Sequence, residues 1–139
     1  MKSFMEFFPK KRQLCHIATT SLRSFVQNGD RLIHSDSETT NFAWRLSRNL
    51  SQAKQIGPLV GDVCPSHLYS VCAVKAPEYE VICHSAMVIE LQPKVVIAEG
   101  GYDVEGVREI SLESFLMREA RNGHKVYEFS PEVLDSLGL

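Results

Sequence analysis

Apolar positions in the first part of the chain recur at helical spacing. From about Lys11 to Asn28, Leu14, Cys15, Ile17, Ala18, Leu22, Phe25 and Val26 share one broad arc, with Arg12, His16, Thr20, Arg23 and Gln27 opposite. Asn28-Gly29 supplies the stop. Ser35 followed by Glu38 has capping-box spacing and predicts a second helix with Phe42, Ala43, Leu46, Leu50 and Ala53 on its stripe, closed by Gly57-Pro58. Beyond Leu59 the pattern changes. Runs rich in Val, Ile and Tyr at Tyr69–Val74, Val81–Leu91 and Val95–Ala98 predict short strands, separated by Ala76-Pro77, Gln92-Pro93 and Gly100-Gly101. Ser111 is placed to cap a third helix carrying Leu112, Phe115, Leu116 and Ala120. Lys125–Phe129 alternates like a strand, and Ser130-Pro131-Glu132 opens a last short helix. These elements predict an α+β class with a small antiparallel sheet packed against helices. They form one domain over 1–139, with a helical part at 1–57 and the sheet and C-terminal helices at 58–139.

Composition adds exclusions. With 139 residues, 15 Lys+Arg and 17 Asp+Glu, the net charge is −2, which lacks the basic excess that grips a nucleic-acid backbone. Nucleic acid is therefore not an expected partner. No run approaches the length of a membrane span. Glu6, Pro9 and Lys10-Lys11-Arg12 interrupt any signal-peptide core, so a cytoplasmic location is expected. The basic cluster reads as a solvated helix start. Cys15, Cys64, Cys72 and Cys83 show no C-x-x-C spacing, and reduced thiols are expected. Cys64-Pro65-Ser66-His67 with Cys83-His84 has the residue types of a zinc site, but adjacent strand residues point to opposite faces. Neither a metal nor a cofactor is expected.

The candidate chemistry centres on His84 and Glu99. His84 leads the apolar strand His84-Ser85-Ala86-Met87-Val88-Ile89, where an imidazole at the sheet rim can reach a substrate. Glu99 ends a neighbouring strand, where a carboxylate can orient that ring. The succession Gly61-Asp62-Val63, Cys83 to Ile89, Val96 to Glu99, Gly106-Val107-Arg108 and Ile110 to Leu116 resembles the papain-like hydrolases of the NlpC type, especially their circularly permuted branch. The resemblance covers about 70 residues, Gly61 to Phe129. It implies a papain-like half-barrel, with His84 as catalytic imidazole and Glu99 as its orienting partner.

In the permuted branch the nucleophilic cysteine lies on a helix after the sheet, and no cysteine follows Cys83 here. The unpermuted order would use Cys15. The helical pattern from Lys11, however, puts Cys15 several residues inside a helix and on its apolar arc, where a thiol behaves as a small hydrophobe. Trp44 and Arg48 lie off the stripe of the second helix, either covering a neighbouring helix or anchoring a partner. The expectation is thus a papain-like domain without its full machinery, working in a protein assembly. The alternative is a cysteine hydrolase or acyl transferase, with catalytic Cys15, His84 and Glu99, that cleaves an amide or ester such as a cell-wall peptide.

Overall fold

The computed structural model describes residues 1–9, 14–57, 64–101 and 106–139, without the side chains of residues 2, 36–38 and 40. Gly61-Asp62-Val63, the basic cluster Lys10 to Arg12 and the side chain of Glu38 lie outside the described residues.

Helices α1 (Lys2–Met5), α2 (Cys15–Asn28) and α3 (Asp36–Arg48) come first, followed by a 3-10 turn (Leu50–Gln52). Strands β1 (Lys54–Ile56), β2 (Val71–Lys75), β3 (His84–Glu90), β4 (Val96–Glu99) and β5 (Arg108–Ser111) precede α4 (Leu112–Arg121), β6 (Lys125–Phe129) and α5 (Pro131–Ser136). The strands form one six-stranded antiparallel sheet in the order β1-β6-β2-β3-β4-β5. The α+β class and the antiparallel sheet expected from the pattern are therefore present. Among the described residues, no helix is long and apolar enough to cross a membrane.

Several element boundaries follow local chemistry. Gly29 ends α2 at φ 74°, a left-handed conformation that an L side chain resists, and its N–H donates to the Phe25 carbonyl. The Ser111 and Ser130 hydroxyls accept from the N–H groups of Ser114 and Val133, capping α4 and α5 as the sequence predicts.

Two expectations are corrected. The second helix stops at Arg48, short of Leu50 and Ala53. The chain there tightens into the 3-10 turn and then leaves as β1 to pair with β6, because sheet pairing overrides the local helical period. The helix expected from about Lys11 is α2, which begins, within the described residues, at Cys15. Leu14 has extended dihedrals (φ −66°, ψ 144°) and is the N-cap, so Cys15 opens the helix and is not an interior residue.

Both faces of the sheet are buried. Val71, Ala73, Met87, Ala98 and Phe129 meet Phe4 of α1, Leu22 of α2, Phe42 and Leu46 of α3 and Leu134 of α5. Cys72, Val74, Ala86, Val88 and Ile97 meet Leu112, Phe115 and Leu116 of α4. His84 pairs with Val74 and Val88 with Ile97, so strand alternation puts His84 and Glu99 on the α4 face. Phe115 is fully buried there, its ring 6.1 Å from the His84 ring and 5.3 Å from the Arg118 guanidinium carbon. Phe115→Ala is expected to lower unfolding stability by about 3–5 kcal/mol, measured by chemical denaturation.

Candidate active site

Three elements converge at the end of β3. Helix α2 packs across one face of the sheet, and its first residue reaches the strand end, where Cys15 Sγ lies 3.9 Å from the Cys83 carbonyl oxygen. His84, the first residue of β3, is 2 % exposed and hydrogen-bonds both Glu99 and Cys15 through its side chain. Its Nε2 donates to Glu99 Oε1 at 2.8 Å, which directs Nδ1 toward the thiol. The structure thus brings Cys15, His84 and Glu99 together. It leaves Trp44 and Arg48 exposed on α3, with Trp44 47 % accessible.

Cys15 is half-buried, not enclosed as its place on the apolar arc suggested. Burial alone raises a thiol, but hydrogen bonding and charge from His16 and His84 outweigh it and lower Cys15 from 9.0 to about 5. No side chain caps the helix start at Leu14. The positive end of the α2 dipole therefore acts in the same direction on a thiolate. The other cysteines differ. Cys72 is fully buried and its thiol is pushed up by burial and by the nearby Glu128 carboxylate. Cys83, whose Sγ donates to the Val74 carbonyl, is also raised, chiefly by burial.

Glu99 is fully buried and has more partners than the sequence indicated. Arg118 grips both oxygens, Nη1 to Oε2 and Nη2 to Oε1, each at 2.7 Å, and Arg108 Nε donates to Oε2 at 3.1 Å. Burial would raise this carboxyl, but Arg118 and His84 hold it down at about 2. Glu99 therefore stays ionised and orients the ring without taking its proton. The Cys15 and Glu99 contacts raise His84 against the opposing effect of burial, favouring imidazolium. Behind Glu99, Arg118 Nε donates to Glu119 Oε2 at 2.9 Å, and Glu119 Oε1 lies 2.9 Å from His124 Nδ1.

Arg108, Arg118 and His16 are the contributors that sequence reasoning missed. Arg108 sits directly across from Glu99 in the β4–β5 register, and Arg118 follows Phe115 by three residues, on the same side of α4. The residues weighed as a zinc set do not converge. His84 is committed to Glu99 and Cys15, while the His67 side chain is 58 % exposed beside Glu128. Comparison with protein-family models, curated proteins and solved structures finds no match.

Proposed function

We propose that this chain is a cysteine hydrolase or acyl transferase of papain-like type, acting on an amide or ester with Cys15 as nucleophile, His84 as acid and base, and Glu99 as orienting residue. The observation that carries this reading is a lowered thiol on the first residue of a helix, hydrogen-bonded to an imidazole whose other nitrogen is held by a buried carboxylate. The chain order Cys15, His84, Glu99 matches the unpermuted arrangement, in place of the permuted branch suggested by the strand succession. The papain-like half-barrel is part of the same proposal, supported by α2 packing against an antiparallel sheet with its cysteine at the end of β3.

In the resting state the sulfur is a thiolate and His84 carries protons on both nitrogens. The thiolate attacks the carbonyl carbon, an S–C bond forms, and the π electrons move to oxygen. When that tetrahedral centre collapses, the C–N or C–O bond breaks and the His84 Nδ1 proton goes to the leaving group, which departs neutral as amine or alcohol. The acyl group is then a thioester on Cys15. Neutral His84 takes a proton from water, or from an acceptor alcohol or amine, as it attacks the thioester. The S–C bond breaks and the thiolate and imidazolium are restored.

Mixing the protein with an activated ester is expected to release a burst of about one leaving group per chain, with the acyl mass on the peptide containing Cys15. No burst, or an acyl group on another residue, would contradict the proposal. The dependence of kcat/KM on pH is expected to rise with a midpoint near 5, set by Cys15, and to fall on the alkaline side above 6.5, where the raised His84 loses its proton.

The reading as an assembly module rests on a separate observation, the exposed Trp44 and Arg48 on α3. It predicts that a protein partner captured by the native chain is lost on Trp44→Ala, while burst chemistry is absent from both.

A further inference from the structure

Two arginines meet Glu99, but only one of them shares an oxygen with His84. Arg108 donates to Oε2 alone, from the edge strand β5, and its side chain is 42 % exposed. Arg118 donates to both oxygens, Nη1 to Oε2 and Nη2 to Oε1, and Oε1 is also the oxygen that accepts from His84 Nε2. Two parallel N–H bonds from one planar fork hold a carboxylate in the plane of the guanidinium, which a point charge does not do. The direction from which Oε1 meets the imidazole is therefore set by Arg118.

The fork is itself held. Arg118 Nε donates to Glu119 Oε2, and Glu119 is fully buried, with its other oxygen 2.9 Å from His124 Nδ1. The His124 backbone N–H donates to the Glu119 carbonyl at 3.0 Å, which ties the turn after α4 to the same residue. Phe115 lies against both the guanidinium and the His84 ring, so the two groups share one apolar support. A buried ion pair adds little net stability over well-packed apolar side chains of the same volume. The contact of Glu119 with Arg118 is better explained by the orientation it imposes than by the fold it holds.

We propose that Arg118 is a positioning residue for the reaction: braced by Glu119, its fork fixes the Glu99 carboxylate and, through Oε1, the tilt of the His84 imidazole, whereas Arg108 contributes charge alone. This inference rests on the reading of His84 as acid and base. In that role His84 gives up its Nδ1 proton to the leaving group and regains one from water, so the ring has to keep one direction while its charge changes. Its Nε2 donates to Glu99 in either state, and Arg118 keeps that acceptor still while the proton moves on the far side of the ring.

The test combines kcat and KM for para-nitrophenyl acetate, expressed per folded chain, with NMR of the histidine and arginine side-chain nitrogens, in the native chain, Arg118→Lys, Arg118→Gln and Arg108→Gln. Lysine keeps a positive charge beside Glu99 without the fork, while Arg108→Gln removes a charge and leaves the fork in place. Arg118→Lys is expected to lower kcat by about tenfold to a hundredfold with little change in KM, a larger loss than in Arg108→Gln. The His84 Nε2 hydrogen, held by Glu99 in the native chain, should exchange rapidly with solvent in Arg118→Lys. Arg118→Gln should lose at least as much and decides the matter if Arg118→Lys does not fold. The native chain alone should show separate, slowly exchanging Arg118 Nη hydrogens, and a single averaged signal there would overturn the inference. So would a native kcat and His84 signal in Arg118→Lys, or a loss in Arg108→Gln as large as that in Arg118→Lys; each of these results leaves Cys15, His84 and Glu99 in their proposed roles. A native chain that does not turn over the ester would overturn the hydrolase reading and this inference together.

Discussion

Cys15→Ala is expected to abolish the ester burst and to reduce turnover by roughly a thousandfold or more, because it removes the sulfur proposed to carry the acyl intermediate. The substitution removes a half-buried sulfur, so unfolding stability should drop by only about 1 kcal/mol. This contrast between large kinetic loss and small stability loss distinguishes a nucleophile from a packing residue. His84→Ala should produce a kinetic loss of similar size. The double variant Cys15→Ala, His84→Ala should be scarcely worse than either single one, since residues acting as a unit lose their effect together. Burst amplitude and thermal denaturation of the three variants check these outcomes. A Cys15→Ala protein that retained the burst would remove Cys15 from the chemistry.

Glu99→Ala is expected to be the most damaging single change to the fold at this site. It would leave Arg118, Arg108 and His84 facing a cavity where their shared carboxylate had been. Removing one member of a buried ion pair typically costs about 3–5 kcal/mol, and Arg118 would lose both of its bonds to Glu99 while keeping the one to Glu119. The pH dependence follows from the directions of the shifts. Glu99 is held near 2, below its ordinary 4.5, so its stabilising contribution is present above pH 4.5 and is lost as pH falls toward 2, a change of roughly 3 kcal/mol. His84 is raised above 6.5, so its contribution is present below 6.5 and fades as pH rises through its folded value. Denaturant titrations should show the acid-side decline in the native protein and a flatter curve in Glu99→Ala. The same steep decline in both would mean that Glu99 is not the group responsible.

Much of the scaffold was legible because it depends on neighbouring residues. The caps at Ser111 and Ser130, the Gly29 stop and the alternation of Lys125–Phe129 each need only a few consecutive positions. The proximity of His84 and Glu99 was also legible, since both sit on adjacent strands with matching alternation. Strand β1, only three residues long and defined by its pairing with β6, carries no local signal. The start of α2 was obscured for a chemical reason. Its N-cap is Leu14, which offers no capping oxygen, and the apolar run Leu14-Cys15 blends into the helical arc. Cys15 therefore looked like an interior core residue, although the backbone turns into the helix at that position. The two arginines on Glu99 come from β5 and α4, and their convergence is a product of tertiary packing.

The central claim is that Cys15 is an activated thiolate while the Cys72 and Cys83 thiols are raised by burial. Its most direct test is competitive labelling of the native chain at pH 6 with a limiting amount of iodoacetamide, resolved by peptide mass spectrometry. Cys15, lowered to about 5, is predicted to take up most of the label, with Cys83 labelled slowly and the fully buried Cys72 last. Preferential labelling of Cys64, or a Cys15 that reacts only as pH approaches the usual thiol value of about 8.5, would contradict the account.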